Sequence, residues 1–284
     1  MPRKATARRP PGTSPLASYG PVAPRVAQPI GLPTLSWPER LGRALVDLLF
    51  DDTCLGCRDS PAGPRLGLCL RCHGQLDPHS RVRGDRCSGC AGRIAGVAGR
   101  TDRCGACLAD PPPWRRLYTL WTYRAPFDAV IHALKFQRLE QLGEELAVAA
   151  FDRFADDLLR GAGEGRGIET VVPVPLPWPR RLHRGFNQAE SIAAPLAARL
   201  GRPLQRALGR RPSPPQSLLP LRRRGGNLRR SLRIRHAVPG ASVLLVDDVV
   251  TSGATLRAAT AALLRAGADE VTALAVAWTP PRPP

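Results

Sequence analysis

No stretch of this 284-residue chain approaches the ~20 consecutive apolar residues of a membrane-spanning helix, so no transmembrane segment is expected. The basic start, MPRKATARRP, is followed by Pro and Gly where a secretory signal needs an apolar run. These two absences together predict a cytoplasmic protein. Acidic residues are scarce: 23 Asp and Glu stand against 42 Lys and Arg, a formal net charge of +19, and the cations are nearly all Arg. Part of that excess is of the kind that Arg-, Ala- and Pro-rich coding can produce. The remainder favours anionic partners such as phosphate esters, pyrophosphate or a nucleic-acid backbone. The segment holding the cysteines is poor in aliphatic residues, so an apolar core cannot be its main source of folding free energy.

What is present falls into blocks. Residues 1–36 are rich in Pro, Gly, Ser, Ala and Arg without periodicity and are expected to be a disordered leader. A short helix is expected next, with Pro38 in its first turn and Leu41, Ala44, Leu45, Leu48 and Leu49 on one face. With the cysteines it makes an expected domain over 37–110, closed by the structure-breaking Pro111-Pro112-Pro113-Trp114. A second domain is expected over 114–279, with a tail at 280–284. In it, strands are predicted at 117–123, 169–175, 242–246 and 271–278, and helices at 127–136, 139–159, 187–200 and 254–266. Pro195 should kink or divide the third of these helices. Residues 209–235 read as a long mobile loop. Strands alternating with helices imply an α/β fold with a mostly parallel sheet.

All eight cysteines sit in CxxC pairs: Cys54 and Cys57, Cys69 and Cys72, Cys87 and Cys90, Cys104 and Cys107. The gaps between successive pairs are eleven, fourteen and thirteen residues. In a cytosolic chain this pattern predicts metal sites rather than disulfides. Zinc takes four thiolates at tetrahedral corners, each CxxC turn supplies two, and an all-Cys site leaves no open position for catalysis. Two structural Zn2+ ions are therefore expected. Sequential pairing is the simpler connectivity, and an interleaved one is left open by the spacing. Eight thiolates and two divalent ions together remove four charges, leaving about +15.

The most informative stretch is Val243 to Leu256. A buried apolar strand delivers Asp247 and Asp248 to its C-terminal edge, where ligands bind in open parallel sheets. A turn of Thr251, Ser252, Gly253, Ala254 and Thr255 then opens a helix, whose amides and hydroxyls suit a phosphate dianion. The acids can accept hydrogen bonds from vicinal sugar hydroxyls and attract Mg2+. Arg180, Arg181, Arg184, Asn187, Gln188, Gln216 and Arg224 are candidates for pyrophosphate or nucleic-acid contacts, since guanidinium groups match phosphate oxygens in pairs. No segment reveals a base-recognition pocket or a convincing general base, so whether the chain is an enzyme is left open.

The acidic stretch resembles the phosphoribosyl-diphosphate (PRPP) motif of type I phosphoribosyltransferases, with Ser252 replacing the motif's second Thr. The resemblance implies that Asp247 and Asp248 meet ribose hydroxyls and that Thr251 to Thr255 cradle a 5′-phosphate. The wider order is more specific: four CxxC pairs, Pro111-Pro112-Pro113-Trp114, Leu134-Lys135-Phe136, Val172-Pro173-Val174-Pro175, Arg184-Gly185-Phe186-Asn187-Gln188, Pro215-Gln216 and Asn227, then the acids. Over residues 38–278 this resembles the ComF family of competence protein F and GntX-like proteins. It implies a double zinc ribbon followed by a phosphoribosyltransferase-type domain. It also implies PRPP with Mg2+ as ligand, and a link to uptake or handling of single-stranded DNA with competence or DNA-processing proteins as partners. The alternative expectation is a Mg2+-dependent phosphoribosyltransferase with an unknown acceptor.

Overall fold

A computed structural model describes residues 53–77, 86–94, 102–137, 139–161, 166–211 and 231–280. The expected leader, the helix after Pro38, most of the tail, Gln216, Asn227 and Arg224 lie outside the described residues. All described residues belong to one compact unit.

Two short helical turns, α1 (Leu70–Gly74) and α2 (Gly105–Ala109), lie in the cysteine region. There follow β1 (Leu117–Thr122), α3 (Phe127–Phe136), α4 (Gln141–Arg160), β2 (Thr170–Pro173), α5 (Trp178–Arg184) and α6 (Gln188–Leu200). The chain continues through β3 (Leu208–Arg210), β4 (Leu232–Ile234), β5 (Ser242–Val250), α7 (Ala254–Arg265) and β6 (Glu270–Trp278). The main sheet runs β1-β6-β5-β2, and every neighbouring pair in it is parallel. β3 and β4 form a separate antiparallel pair.

Alternation along β5 divides the core. Leu244 and Val246 point to one face, where they meet Phe127, Ile131 and Leu134 of α3, Leu146 and Ala150 of α4 and Ile192 and Leu196 of α6. Val243 and Leu245 point to the other, against Leu256, Ala259 and Leu263 of α7. A parallel strand covered on both faces is apolar throughout, which explains the run from Val243 to Val246. Each of those four side chains is 0% exposed. At ~1.5–3 kcal/mol for each buried aliphatic, they fix the strand on which the acids stand.

The cysteine pairs are built onto these faces. Cys54, Leu66, Leu68, Cys69, Cys72 and Leu76 join the core of the first face. Ala91, beside Cys90, joins the second with Trp114 and Trp278.

Two expectations need correction, and of the two alternatives for Pro195 one falls away. Pro195 neither divides nor ends its helix, because α6 runs unbroken to Leu200. The carbonyl that Pro195 leaves without a helical donor is that of Ser191, four residues earlier. Gly143 of α4 crosses there, and a Cβ on it would stand 2.6 Å from that oxygen. The segment 209–235 is not loop at its ends, which pair as β3 and β4 through Leu208–Ile234 and Arg210–Leu232. And β5 does not stop at Val246 but extends to Val250, carrying both acids within regular strand.

Candidate functional site

Asp247 and Asp248 occupy the C-terminal part of β5, and neighbouring strand residues face opposite ways. Asp248 therefore falls on the side of Val246 and α3, and Asp247 on the side of Leu245. Each carboxylate accepts the amide N–H of the next residue, Asp248 N to Asp247 Oδ1 at 2.9 Å and Val249 N to Asp248 Oδ1 at 2.7 Å. These bonds hold both side chains in place. Burial, then the neighbouring Asp248 charge, pushes the Asp247 carboxyl well above the usual carboxylate range.

Cations converge on the acids from three elements. Lys135 of α3 places Nζ 2.9 Å from Asp248 Oδ2. Arg184 of α5 lies near Asp248, stacks 5.0 Å over the Phe136 ring and donates to Gln188 Oε1 at 2.9 Å. Arg210 of β3 lies near Asp247, and Arg180 near both arginines. Burial lowers the pKa of Arg184 and Arg210 from the ordinary guanidinium range; Arg180 adds to this, while the acids oppose it. A desolvated cluster holding this many cations attracts a polyanion.

Beyond the acids, Thr251, Ser252 and Ala254 are exposed and Thr255 partly so. Gly253 has φ 71°, the left-handed conformation that favours glycine, and a Cβ there would stand 3.3 Å from the Trp114 ring. It caps α7, whose first amides open toward the turn. Asn187 does not cap α6 with its side chain; its Nδ2 donates to Val174 O at 3.0 Å and ties down the segment after β2. Asn187 and Gln188 are buried, and Arg181 is exposed.

Lys135 was missing from the candidates drawn from sequence. The signal was present: besides Lys4 it is the chain's other lysine, among 42 basic residues. A coding bias toward Arg that spares one internal position marks that position.

The thiols of Cys54, Cys57, Cys69 and Cys72 gather within 4.8 Å of one another, and so do those of Cys87, Cys90, Cys104 and Cys107. The grouping is sequential, and each set can hold a metal ion. The donor chemistry fits a cation. Burial raises the Cys54 thiol, but the amides of Cys69, Cys57 and Gly56 outweigh it and bring it down to about 6. Cys87 is brought to about 7 in the same way, by the amides of Cys104, Cys90 and Gly89. Burial and the neighbouring thiols push Cys72 up to about 12 and Cys90 to about 11, and raise Cys107 as well. Without a cation to share the charge, each set cannot ionise fully.

The second set is tied to the turn around Gly253. Trp114 Nε1 donates to Gly89 O at 2.8 Å while its ring lies against Gly253. Trp278 Nε1 donates to Cys90 O at 2.9 Å, and Arg257 of α7 stacks over Trp114.

A model of the phosphoribosyl transferase domain matches residues 187–283. DNA utilization protein YhgH of Salmonella typhi is 35% identical over 222 residues, which is 77% of this chain and 93% of that protein. Competence protein F of Haemophilus influenzae is 27% identical over 227 residues, 78% of this chain and 95% of that protein. A purine phosphoribosyltransferase from Pyrococcus horikoshii superposes with a TM-score of 0.31 at 16% identity, covering 49% of this chain and 75% of that one. Among the described residues no helix is long and apolar enough to cross a membrane.

Proposed function

Since the chain belongs to the ComF family, that of DNA utilization protein YhgH and competence protein F, we propose that it binds PRPP or a related ribose-5-phosphate and acts in the handling of single-stranded DNA. The observation that carries the ligand is the acid pair fixed on β5, flanked by Lys135, Arg180, Arg184 and Arg210 and followed by an exposed hydroxyl-bearing turn. In this reading the amides and hydroxyls of Thr251 to Thr255 hold the 5′-phosphate. Asp247 and Asp248 accept from the ribose hydroxyls, and the cations draw the pyrophosphate. Asp247 and Asp248 would hold Mg2+, which would supply positive charge to offset that of the ligand's phosphates. The described regions act as two domains, a cysteine-rich one to about residue 110 and a sheet domain over 114–279. Each four-thiol set holds one structural Zn2+, as closed all-Cys sites do. The protein works in the cytoplasm, with competence or DNA-processing proteins as partners.

The test is calorimetric titration of PRPP with Mg2+ into wild type and Asp247→Ala. The substitution removes a carboxylate whose charge burial already disfavours, so lost binding reports on the site rather than on unfolding. Saturable binding by wild type, abolished in the variant, supports the reading, whereas equal binding by both refutes it. The acid pair also supports a second reading, a phosphoribosyltransferase that expels pyrophosphate from the anomeric carbon in favour of an acceptor base or amine. Pyrophosphate release from PRPP across a panel of bases and amines, above the Asp247→Ala level, would establish it.

A further inference from the structure

A cavity of about 270 Å³ opens between the first cysteine pair and α3, lined by Leu55, Arg58, Tyr123, Asp128, His132 and Gln137. At ~30 Å³ per water it has the volume of about nine waters, room for one heterocycle. Its walls carry one guanidinium, one phenol, one imidazole, one carboxylate and one carboxamide. That set gives stacking faces together with donors and acceptors for a base edge, and a cation for a phosphate.

Arg58 is held in an unusual backbone conformation. It follows Cys57 with φ 58°, and Ala91 follows Cys90 with φ 62°, so both cysteine turns impose the left-handed region at this place. Glycine fits that region without cost, yet an arginine stands beside the cavity. The wall is also fixed: a Cβ on Gly56 would meet Pro126 Cβ at 2.8 Å, so the turn sits hard against the start of α3.

Helix α3 carries residues of both the cavity and the acid site. The His132 ring packs 4.7 Å from the ring of Phe136, which is 52% exposed and carries Arg184 over it. Lys135, on Asp248, lies three residues from His132, about 4.5 Å along the helix axis. His132 of the cavity and Lys135 of the acid site are thus about one turn apart on α3, with Phe136 and Arg184 beside them.

We infer that this cavity takes a nucleobase of single-stranded DNA, the base between Tyr123 and His132 and its phosphate on Arg58. This deepens the DNA-handling reading and rests on it. The same chemistry would also suit a free nucleotide, so the test carries both.

The full-length, zinc-loaded protein is titrated with a labelled oligothymidylate, with dTMP and with PRPP, as wild type, Arg58→Gly, Tyr123→Ala and Tyr123→Phe. Strand affinity should fall about tenfold in Tyr123→Ala and recover in Tyr123→Phe, the size of one lost base stack. In Arg58→Gly the slope of log affinity against log salt should shrink by about 0.7, one phosphate contact on a single strand. That variant should melt no lower than wild type, since glycine suits the backbone there. PRPP affinity should be unchanged throughout. Strand binding with wild-type affinity and salt slope in both Arg58→Gly and Tyr123→Ala overturns the cavity and leaves the DNA reading standing. Binding of dTMP that both variants lose, without strand binding by wild type, keeps a nucleotide cavity and overturns the DNA reading. Wild type that binds neither overturns both.

Discussion

The Lys135–Asp248 pair allows a quantitative test of how the acid site is held before ligand binds. The atoms are 2.9 Å apart and the side chains are 19% and 16% exposed. At an effective dielectric of ~20 their gross attraction is about 6 kcal/mol, and desolvating the two ions offsets several kcal/mol of it. Deleting one partner is costlier than the net value of the pair, because the other charge stays buried; for a fully buried pair the loss is ~3–5 kcal/mol. Arg184 stays near Asp248 when Lys135 is removed, which lowers the expected loss for Lys135→Ala to about 2–3 kcal/mol. Asp248→Ala should cost a similar amount, and the double variant about 2 kcal/mol less than the sum of the two. Urea unfolding followed by circular dichroism measures this, with midpoint shifts near 1 M for slopes of ~2–3 kcal/mol/M. The coupling should persist at high salt, since the partners are shielded from mobile ions. Single costs that add to within ~0.5 kcal/mol would refute the pair as an energetic unit.

Two further outcomes follow from the same geometry. The Asp247 carboxyl has its pKa raised by folding, so the native state binds its proton more tightly than the unfolded chain does. Its contribution is therefore complete below the unfolded value of ~3.9 and is lost as pH rises through the folded value. Asp247→Asn should melt higher than wild type at neutral pH, with the gap closing on acidification; thermal melts at a series of pH values measure it. For the cysteine sets, Cys72→Ser and Cys107→Ser should each lose one equivalent of zinc by metal analysis. Cys107→Ser should also red-shift indole emission more, because Trp114 and Trp278 donate to the Gly89 and Cys90 carbonyls of its set.

The readings from sequence held wherever a local rule had no competitor. The apolar run Val243–Val246 could only be a strand buried on both faces, and α3 shows its apolar face at Phe127, Val130, Ile131 and Leu134. Four CxxC pairs at these spacings left little choice of chemistry, though connectivity needed coordinates. Readings went astray where a distant partner decides the outcome. Whether Pro195 bends or splits its helix was open in the sequence; α6 runs through it undivided, with Gly143 of another helix packed against Ser191 O. The strands β3 and β4, three residues each, exist through pairing across twenty-one intervening residues, and nothing local in their Arg- and Gly-rich sequence announces it.

Lys135 illustrates the same limit at the site itself. Its helix was evident from periodicity, and periodicity assigns a side chain to a face without saying what lies across from it. Only the crossing of α3 over the end of β5 brings its ammonium to Asp248, some 113 residues later in the chain. The acids alone suggest a site that waits for Mg2+. With Lys135 in place the second carboxylate already has a counter-ion, so a Mg2+ held by these acids would compete with that ammonium for Asp248. A ligand that brings its own pyrophosphate gives the displaced ammonium somewhere to go. If the acids take Mg2+ and PRPP as proposed, Lys135 would couple the two: Mg2+ alone should bind weakly and PRPP should strengthen it, which calorimetric titration of each with and without the other measures.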